Sequence, residues 1–323
     1  MKRVLIVAVG SALAAAAAWA QPPYVFEGTW GEEGSGNGEF KEPAALDGAA
    51  NGSVYVTDRE NHRVQYFTAD GSFLGKWGSE GYGNGQFNEP SSVKVAPNGN
   101  VYVADKFNHR VQYFRPNGSF LGKWGERGPA DGYFESPWGL GFKIDGTVYV
   151  ADSLNHRVQY FTADGSFLGK WGSFGTGEGQ FNYPTGMAVA PSGNVYVTDT
   201  NNSRVQYFTS VGLFLGEWGS YGTRDGEFDF PQGLDIGLGG YVFVADSRNS
   251  RVQFFTSAGS FLGKWGKRGT GNGEFVWPND VFVLPSGKRA YVADGLNDRV
   301  QYFRRSDPAV VPESLGKVKA LFR

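Results

Sequence analysis

Along almost the whole chain, runs of three to six residues rich in Val, Tyr, Phe and Trp alternate with clusters of Gly, Asn, Asp, Ser and Pro. Over 90–125 the pattern is clearest. Val93-Lys94-Val95 leads into the turn Pro97-Asn98-Gly99-Asn100, and Val101-Tyr102-Val103-Ala104 leads into Asp105-Lys106-Phe107-Asn108. Residues 110–114 then lead into Pro116-Asn117-Gly118, and 120–124 close the unit. Apolar runs this short, bounded by turn residues, read as strands joined by hairpins. The runs show little in/out alternation, which predicts sheets buried on both faces.

The unit recurs. The arginines 63, 110, 157, 204, 251 and 299 are spaced by 47, 47, 47, 47 and 48 residues. Pro43, Pro90, Pro137, Pro184, Pro231 and Pro278 repeat every 47, as do Phe40, Phe87, Phe134, Phe181, Phe228 and Phe275. The one-residue lengthening falls in the turn Pro285-Ser286-Gly287-Lys288-Arg289, where register is cheap to change. Four strands in about 45 residues predict one blade of a β-propeller, and three markers count six blades. The fourth-strand tryptophans are Trp77, Trp124, Trp171, Trp218 and Trp265, with the sixth, Trp30, one period before the first. After Phe303 the expected Gly-Ser-Phe-Leu-Gly-Lys-Trp is missing; Leu315-Gly316-Lys317 is a weak echo that comes five residues late. The expected fold is therefore all-β: a six-bladed propeller of four-stranded antiparallel blades, closed by the N-terminal strand as outer edge of the last blade. The propeller is assigned to 21–305 and a short tail to 306–323.

Each unit carries Asp-x-x-Asn-x-Arg: Asp58/Arg63, Asp105/Arg110, Asp152/Arg157, Asp199/Arg204, Asp246/Arg251 and Asp294/Arg299 flank Asn61, Asn108, Asn155, Asn202, Asn249 and Asn297. Asp entering a turn accepts backbone N–H bonds, and Asn tolerates the left-handed conformation. Arg suits a bidentate pair with such an Asp, in its own blade or the next. Repetition in every unit marks this set as a structural fastener rather than an anion site. Together with Val-Tyr-Val-Ala-Asp and Asn-x-Arg-Val-Gln-x-Phe, the pattern resembles the NHL repeat, with Arg as third residue of its triplet and His only at His62, His109 and His156. The resemblance covers about 24–305 and implies a six-bladed propeller. For function it implies several classes: RNA- or protein-binding modules, sensor domains of membrane kinases, and a peptide-amidating lyase with a histidine-held metal in its central channel. The three histidines occupy an ordinary repeat position in the turn between second and third strands, so they are read as structural or solvent-exposed.

Composition narrows the classes. The chain has no Cys, so disulfides do not stabilise it. Lys2 and Arg3, the apolar stretch from Val4 to Trp19, and Ala18-Trp19-Ala20 read as a secretory leader over 1–20. This predicts an exported chain, periplasmic or extracellular, with no membrane insertion after cleavage. The remainder holds 28 basic and 32 acidic residues, a net charge of about −4, which gives no footprint for nucleic acid. No nucleophile motif points to covalent catalysis.

Function is expected where the repeats disagree. Trp138, Tyr183, Phe230 and Trp277 adjoin the unit prolines on consecutive units, with Phe107 and Leu154 in the second-to-third strand turns. Aromatics there suit a platform for a protein, peptide or glycan. Asn279 and Asp280 follow Pro278, and Asp47 and Asp235 stand four residues after their prolines. Oxygen ligands at the axis suit Ca²⁺, as some lactonase-like propellers use. The favoured expectation is a non-enzymatic, monomeric binding scaffold without cofactor; the alternative is a metal-dependent hydrolase or lyase.

Overall fold

The computed structural model describes residues 24–306; the leader at 1–20 and all but the first residue of the tail lie outside the described residues. Six antiparallel sheets of four strands form the molecule. Blades 1 to 5 span 43–77, 90–124, 137–171, 184–218 and 231–265. Blade 6 combines 278–305 with the N-terminal strand Tyr24–Trp30, which pairs antiparallel with Arg299–Arg305 and carries a bulge between Phe26 and Gly28. First strands of neighbouring blades touch all the way round, blade 6 against blade 1 included. The N-terminal strand thus takes the place for which the Leu315-Gly316-Lys317 echo competed.

The first three strands of a blade are buried on both faces, as in Val54–Asp58. The fourth strand departs from that expectation: in Phe73–Trp77 half-buried Phe73, Gly75 and Trp77 alternate with exposed Leu74 and Lys76, because this strand is the outer edge and only one of its faces meets a neighbour. First strands also begin earlier than the apolar run suggests, at the proline itself.

The core lies between blades rather than within them. Tyr102, Ala104 and Val111 of blade 2 pack with Leu140, Val148, Val150 and Phe161 of blade 3, and the loop residue Phe134 closes the layer. Burying a large apolar side chain of this kind contributes about 1.5–3 kcal/mol. Five of the six outer tryptophans lie against a turn glycine of the next blade, and Trp265 packs on Tyr24 instead. At Gly118, with φ +85°, a Cβ would stand 2.7 Å from the Trp77 ring, so only glycine allows both the turn and the contact. A second-strand tyrosine pins five of the six interfaces; the Tyr102 hydroxyl, for example, donates to the Ala163 carbonyl at 2.9 Å. Blade 5 has Phe243 at that position, and there Tyr24 packs edge-on against Phe243 at 5.7 Å and donates to the Gly287 carbonyl.

Candidate functional site

The Asp–Asn–Arg set forms one clasp per blade. In blade 2, Asp105 is fully buried and accepts from Arg110 Nε at 2.7 Å, Gln112 Nε2 at 3.0 Å and the Asn88 N–H at 2.7 Å, and Asn108 Nδ2 donates to both of its oxygens. The arginine pairs through Nε alone, which corrects the expectation of a bidentate fork. Its outer nitrogens donate instead to the carbonyls of Tyr82, Gly83 and Gln86 in the glycine-rich loop that enters the blade. That loop must bring a polar backbone inward, and the guanidinium satisfies its carbonyls.

The same correction applies in the other blades, and every partner is the aspartate of the arginine's own blade rather than of the next. Arg63, Arg157 and Arg251 are buried and donate through Nε to Asp58 at 2.6 Å, Asp152 at 2.7 Å and Asp246 at 2.7 Å. The outer nitrogens of Arg63 reach the carbonyls of Ser35, Gly36 and Glu39. Those of Arg157 reach Pro129, Ala130 and Tyr133, and those of Arg251 reach Thr223, Arg224 and Glu227. Arg299 repeats the arrangement with Asp294 at 2.8 Å. Blade 4 differs in one arm: Arg204 keeps its Nε on Asp199 at 2.7 Å, but its Nη1 turns to Glu217 at 2.8 Å. With their donors spent on Asp and on loop carbonyls, these arginines serve as fasteners.

Nor is the asparagine the left-handed residue of the turn. The residue after it is, with φ between 51° and 54° at His62, His109, His156, Ser203, Ser250 and Asp298. Asn108 instead spends its amide on Asp105 and the Gly81 carbonyl.

The same turn fastens consecutive blades. Nδ1 of His62, His109 and His156 each accepts, at 3.1 Å, the N–H of the residue before the next blade's proline: Glu89, Ser136 and Tyr183. At the closure the Asp298 carboxylate accepts the Glu42 N–H at 2.7 Å. All three histidines therefore belong to the upper face, where blade-entering loops and second-to-third strand turns meet, and not to the channel.

On that face Glu42, Glu89, Ser136, Tyr183, Phe230 and Trp277 all hold φ between 50° and 61°. The following proline disfavours the right-handed helical region, and the left-handed one turns the chain inward. For a bulky side chain this conformation is uncommon and strained. The four aromatics form two pairs rather than one continuous platform. Trp138 and Tyr183 meet edge-on at 5.8 Å, and Phe230 and Trp277 meet at 5.5 Å. Each pair lies under cations. Lys106 sits 4.6 Å from the Trp138 ring and 4.1 Å from Phe107, and Arg59 of blade 1 reaches Trp138 at 6.0 Å. Arg248 stands 4.8 Å over Phe230 and 5.6 Å over Trp277. Acidic neighbours balance the cations: Glu42 holds Arg59, Glu89 holds Lys106 at 3.5 Å, and Asp229 holds Arg248 at 3.5 Å. Leu154 is exposed on the same face without joining either pair. Burial raises the Tyr183 phenol above its ordinary range.

The first strands line the axial channel. Trp138 narrows its upper part together with Ser91, Asn279 and Asp280. Asp47, Asp235 and Asp280 do not converge on one point, and among the described residues no group of three His, Cys, Asp or Glu is placed to hold a metal ion. Each carboxylate instead latches a neighbouring first strand. Asp47 accepts the Val95 N–H at 2.7 Å, Asp235 the Val283 N–H at 2.8 Å, and Asp280 the Leu46 N–H at 3.1 Å. Among them lies Lys94, 3.6 Å from Asp47. Burial opposes the charge of Lys94, but the fields of Asp47, Asp235 and Asp280 hold its pKa above the ordinary lysine value. Burial pushes Asp235 up to about 6 and Asp280 up to about 7, with Lys94 pulling both back. Asn279 donates to the Pro43 carbonyl at 3.0 Å, and its Oδ1 is buried without a hydrogen-bond partner.

The NHL repeat family matches residues 40–67, 87–114 and 181–208. Each match runs from the loop phenylalanine through the third strand and so contains a whole clasp. The chain carries NHL repeats in a six-bladed propeller. Among curated proteins, Protein lin-41 of Caenorhabditis elegans is 48% identical over 46 residues, 14% of this chain and 4% of that protein. Solved structures share the architecture at low identity. A protein of unknown function from Bacteroides thetaiotaomicron superposes with a TM-score of 0.67 at 16% identity, covering 85% of this chain and 74% of that one. A gluconolactonase from Xanthomonas campestris gives 0.63 at 14% identity, covering 89% and 99%. Virginiamycin B lyase from Staphylococcus aureus gives 0.57 at 12% identity, covering 82% and 96%. At such identities these neighbours share the fold alone.

Within this NHL propeller, sequence reasoning missed Lys94. It stands four residues after Pro90, in the same column as Asp47 and Asp235. Reading that column across all six blades, rather than for acids alone, would have found it. The cations over the aromatics were visible as turn residues, but Trp138 lies one blade from Lys106 and two from Arg59, and Trp277 one blade from Arg248, which a period of 47 does not reveal.

Proposed function

We propose that this NHL propeller is a non-enzymatic binding module that takes a protein, peptide or glycan on its upper face. The observation that carries this reading is the pair of cation-covered aromatic clusters, Trp138/Tyr183 and Phe230/Trp277, confined to the face where the blades differ. Rigid aromatics offer large contact area at little entropic cost, and ion pairs at their edges supply directional partners. The leader over 1–20, which lies outside the described residues, supports export to the periplasm or the cell exterior, and the near-neutral charge supports a partner other than nucleic acid. Among the described residues no helix is long and apolar enough to cross a membrane. The test is capture from the cell envelope by full chain and by the Trp138→Ala plus Trp277→Ala variant. Loss of the captured species, with the circular dichroism spectrum preserved, is the expected result; unchanged capture defeats the assignment.

A second reading, a hydrolase or lyase with a divalent cation in the channel, is favoured by the unpartnered Asn279 Oδ1 beside Asp280. Against it, Lys94 already supplies positive charge among the three carboxylates. Calcium and zinc measured on purified protein decide the matter. Stoichiometric metal that disappears in Asn279→Ala or Asp280→Ala overturns the binding-module reading.

A further inference from the structure

At the end of the channel away from Trp138, the column four residues after each proline reads Asp47, Lys94, Gly141, Ala188, Asp235 and Phe282. Ala188 takes up little space, and the channel here widens into a cavity of about 390 Å³ that reaches the first-to-second strand turns. Its walls are apolar, formed by Phe142, Val189, Ile236 and Val283, and the rim stays apolar through Pro191 and Leu238. Its charged groups are Asp47, Lys94 and Asp235. The Lys94–Asp47 separation of 3.6 Å is too long for a hydrogen bond. One ammonium thus serves three carboxylates, counting Asp280 deeper in the channel, and the cavity retains excess negative charge beside apolar walls.

We propose that this lower mouth binds a primary ammonium carried on an apolar body, with the charge between Asp47 and Asp235 and the body against Phe142, Val189 and Ile236. A ligand cation offsets the excess charge, and the apolar body removes the walls from water. A carboxylate ligand meets net repulsion. A divalent metal fits poorly, because Asp47 and Asp235 each commit an oxygen to a backbone N–H and the apolar walls offer nothing to an ion that keeps oxygen ligands. The site lies at the opposite end of the channel from the aromatic pairs and stands independently of them.

Isothermal titration of the full chain with phenethylamine tests the assignment, with 3-phenylpropionate as the same body bearing the opposite charge. One saturable site for the amine and none for the carboxylate is expected. Asp235→Asn should weaken binding at least tenfold, Ala188→Leu should abolish it by filling the void, and Leu215→Ala on an exposed outer strand should leave it unchanged. No saturable binding of phenethylamine, equal binding of the carboxylate, or stoichiometric displacement by calcium chloride overturns the proposal. So does unchanged affinity in Asp235→Asn, a near-isosteric change that remains decisive even where Ala188→Leu does not fold.

Discussion

The clasps and the inner ring use the same chemistry, a buried carboxylate receiving backbone and side-chain donors, and reach opposite balances. In the clasp each Asp meets an Arg of its own blade at 2.6–2.8 Å, and every remaining guanidinium arm finds a carbonyl or, in blade 4, Glu217. Burial raises the pKa of the clasp aspartates too, so the difference lies in the partners: in the inner ring three carboxylates share one lysine, with Asp235 pushed up to about 6 and Asp280 up to about 7. A satisfied network stabilises the ring, whereas an incompletely compensated one costs stability and persists where it serves something else. That contrast separates fastener from candidate site.

The largest effect should come from breaking a clasp. Asp105→Ala strands the buried Arg110 guanidinium and deprives Asn88, Asn108 and Gln112 of their acceptor. Removing one partner of a buried pair costs about 3–5 kcal/mol. Guanidinium denaturation should show that loss, and less for Asp294→Ala, whose partner Arg299 is more exposed, at 13% against 7% for Arg110. Equal losses at the two sites would mean that burial does not set the clasp's strength.

The clasp was legible because it repeats: six copies of Asp-x-x-Asn-x-Arg reveal their own spacing, and Trp30 one period before Trp77 reveals the closure. Its hydrogen-bond pattern was not. Arg63, Arg157 and Arg251 give one nitrogen to Asp because the glycine-rich loops bring three carbonyls within reach of the others, and those carbonyls leave no mark on the side-chain sequence. The inner ring was hidden because its partners face one another across an axis. Asp47 and Lys94 lie in neighbouring units, and Arg59 reaches Trp138 two blades away. Periodicity fixes where a strand begins, but it carries no record of which side chains meet at the centre. The left-handed residue was misplaced for a more local reason. Asn108 was free to adopt that conformation, but its amide is the donor that joins Asp105 to the Gly81 carbonyl, so the turn falls on His109.

An intermediate effect, of opposite sign, is expected in the ring. The folded-state pKa of Asp280, about 7, lies above its unfolded value near 4. The folded chain therefore holds its proton more tightly, and stability falls as pH rises from about 4 through 7. Asp280→Asn keeps an acceptor for the Leu46 N–H and removes the titration. At pH 8 it should raise stability by roughly 1–3 kcal/mol and flatten the melting temperature between pH 5 and 8. A destabilised variant at pH 8 would show that Lys94 needs all three carboxylates, and that the ring is balanced as the clasp is.

The smallest effect belongs to the histidines, which act between blades and sit near solvent. Burial lowers the pKa of His109 and of His156 below the ordinary imidazole value. Their Nδ1 atoms accept N–H bonds from Ser136 and Tyr183, a role that only an unprotonated Nδ1 can fill. Folding therefore favours the neutral ring: the contribution is complete above about pH 6.5 and is lost as pH falls through the lowered folded-state values. This runs against the Asp280 trend over the same interval, so in the unmodified chain the two partly cancel. In an Asp235→Asn plus Asp280→Asn background, which removes the two ring carboxylates that titrate near this interval, the histidine slope should emerge as a modest fall in melting temperature from pH 7 to pH 5. Blades 4 and 5 carry Ser203 and Ser250 at the same left-handed position, so His109→Ser plus His156→Ser copies a solution the fold already uses. If that double variant keeps the slope, the histidines are not its source; nor are the clasp aspartates, whose pKa values burial raises, so that their protonation favours the folded chain as pH falls.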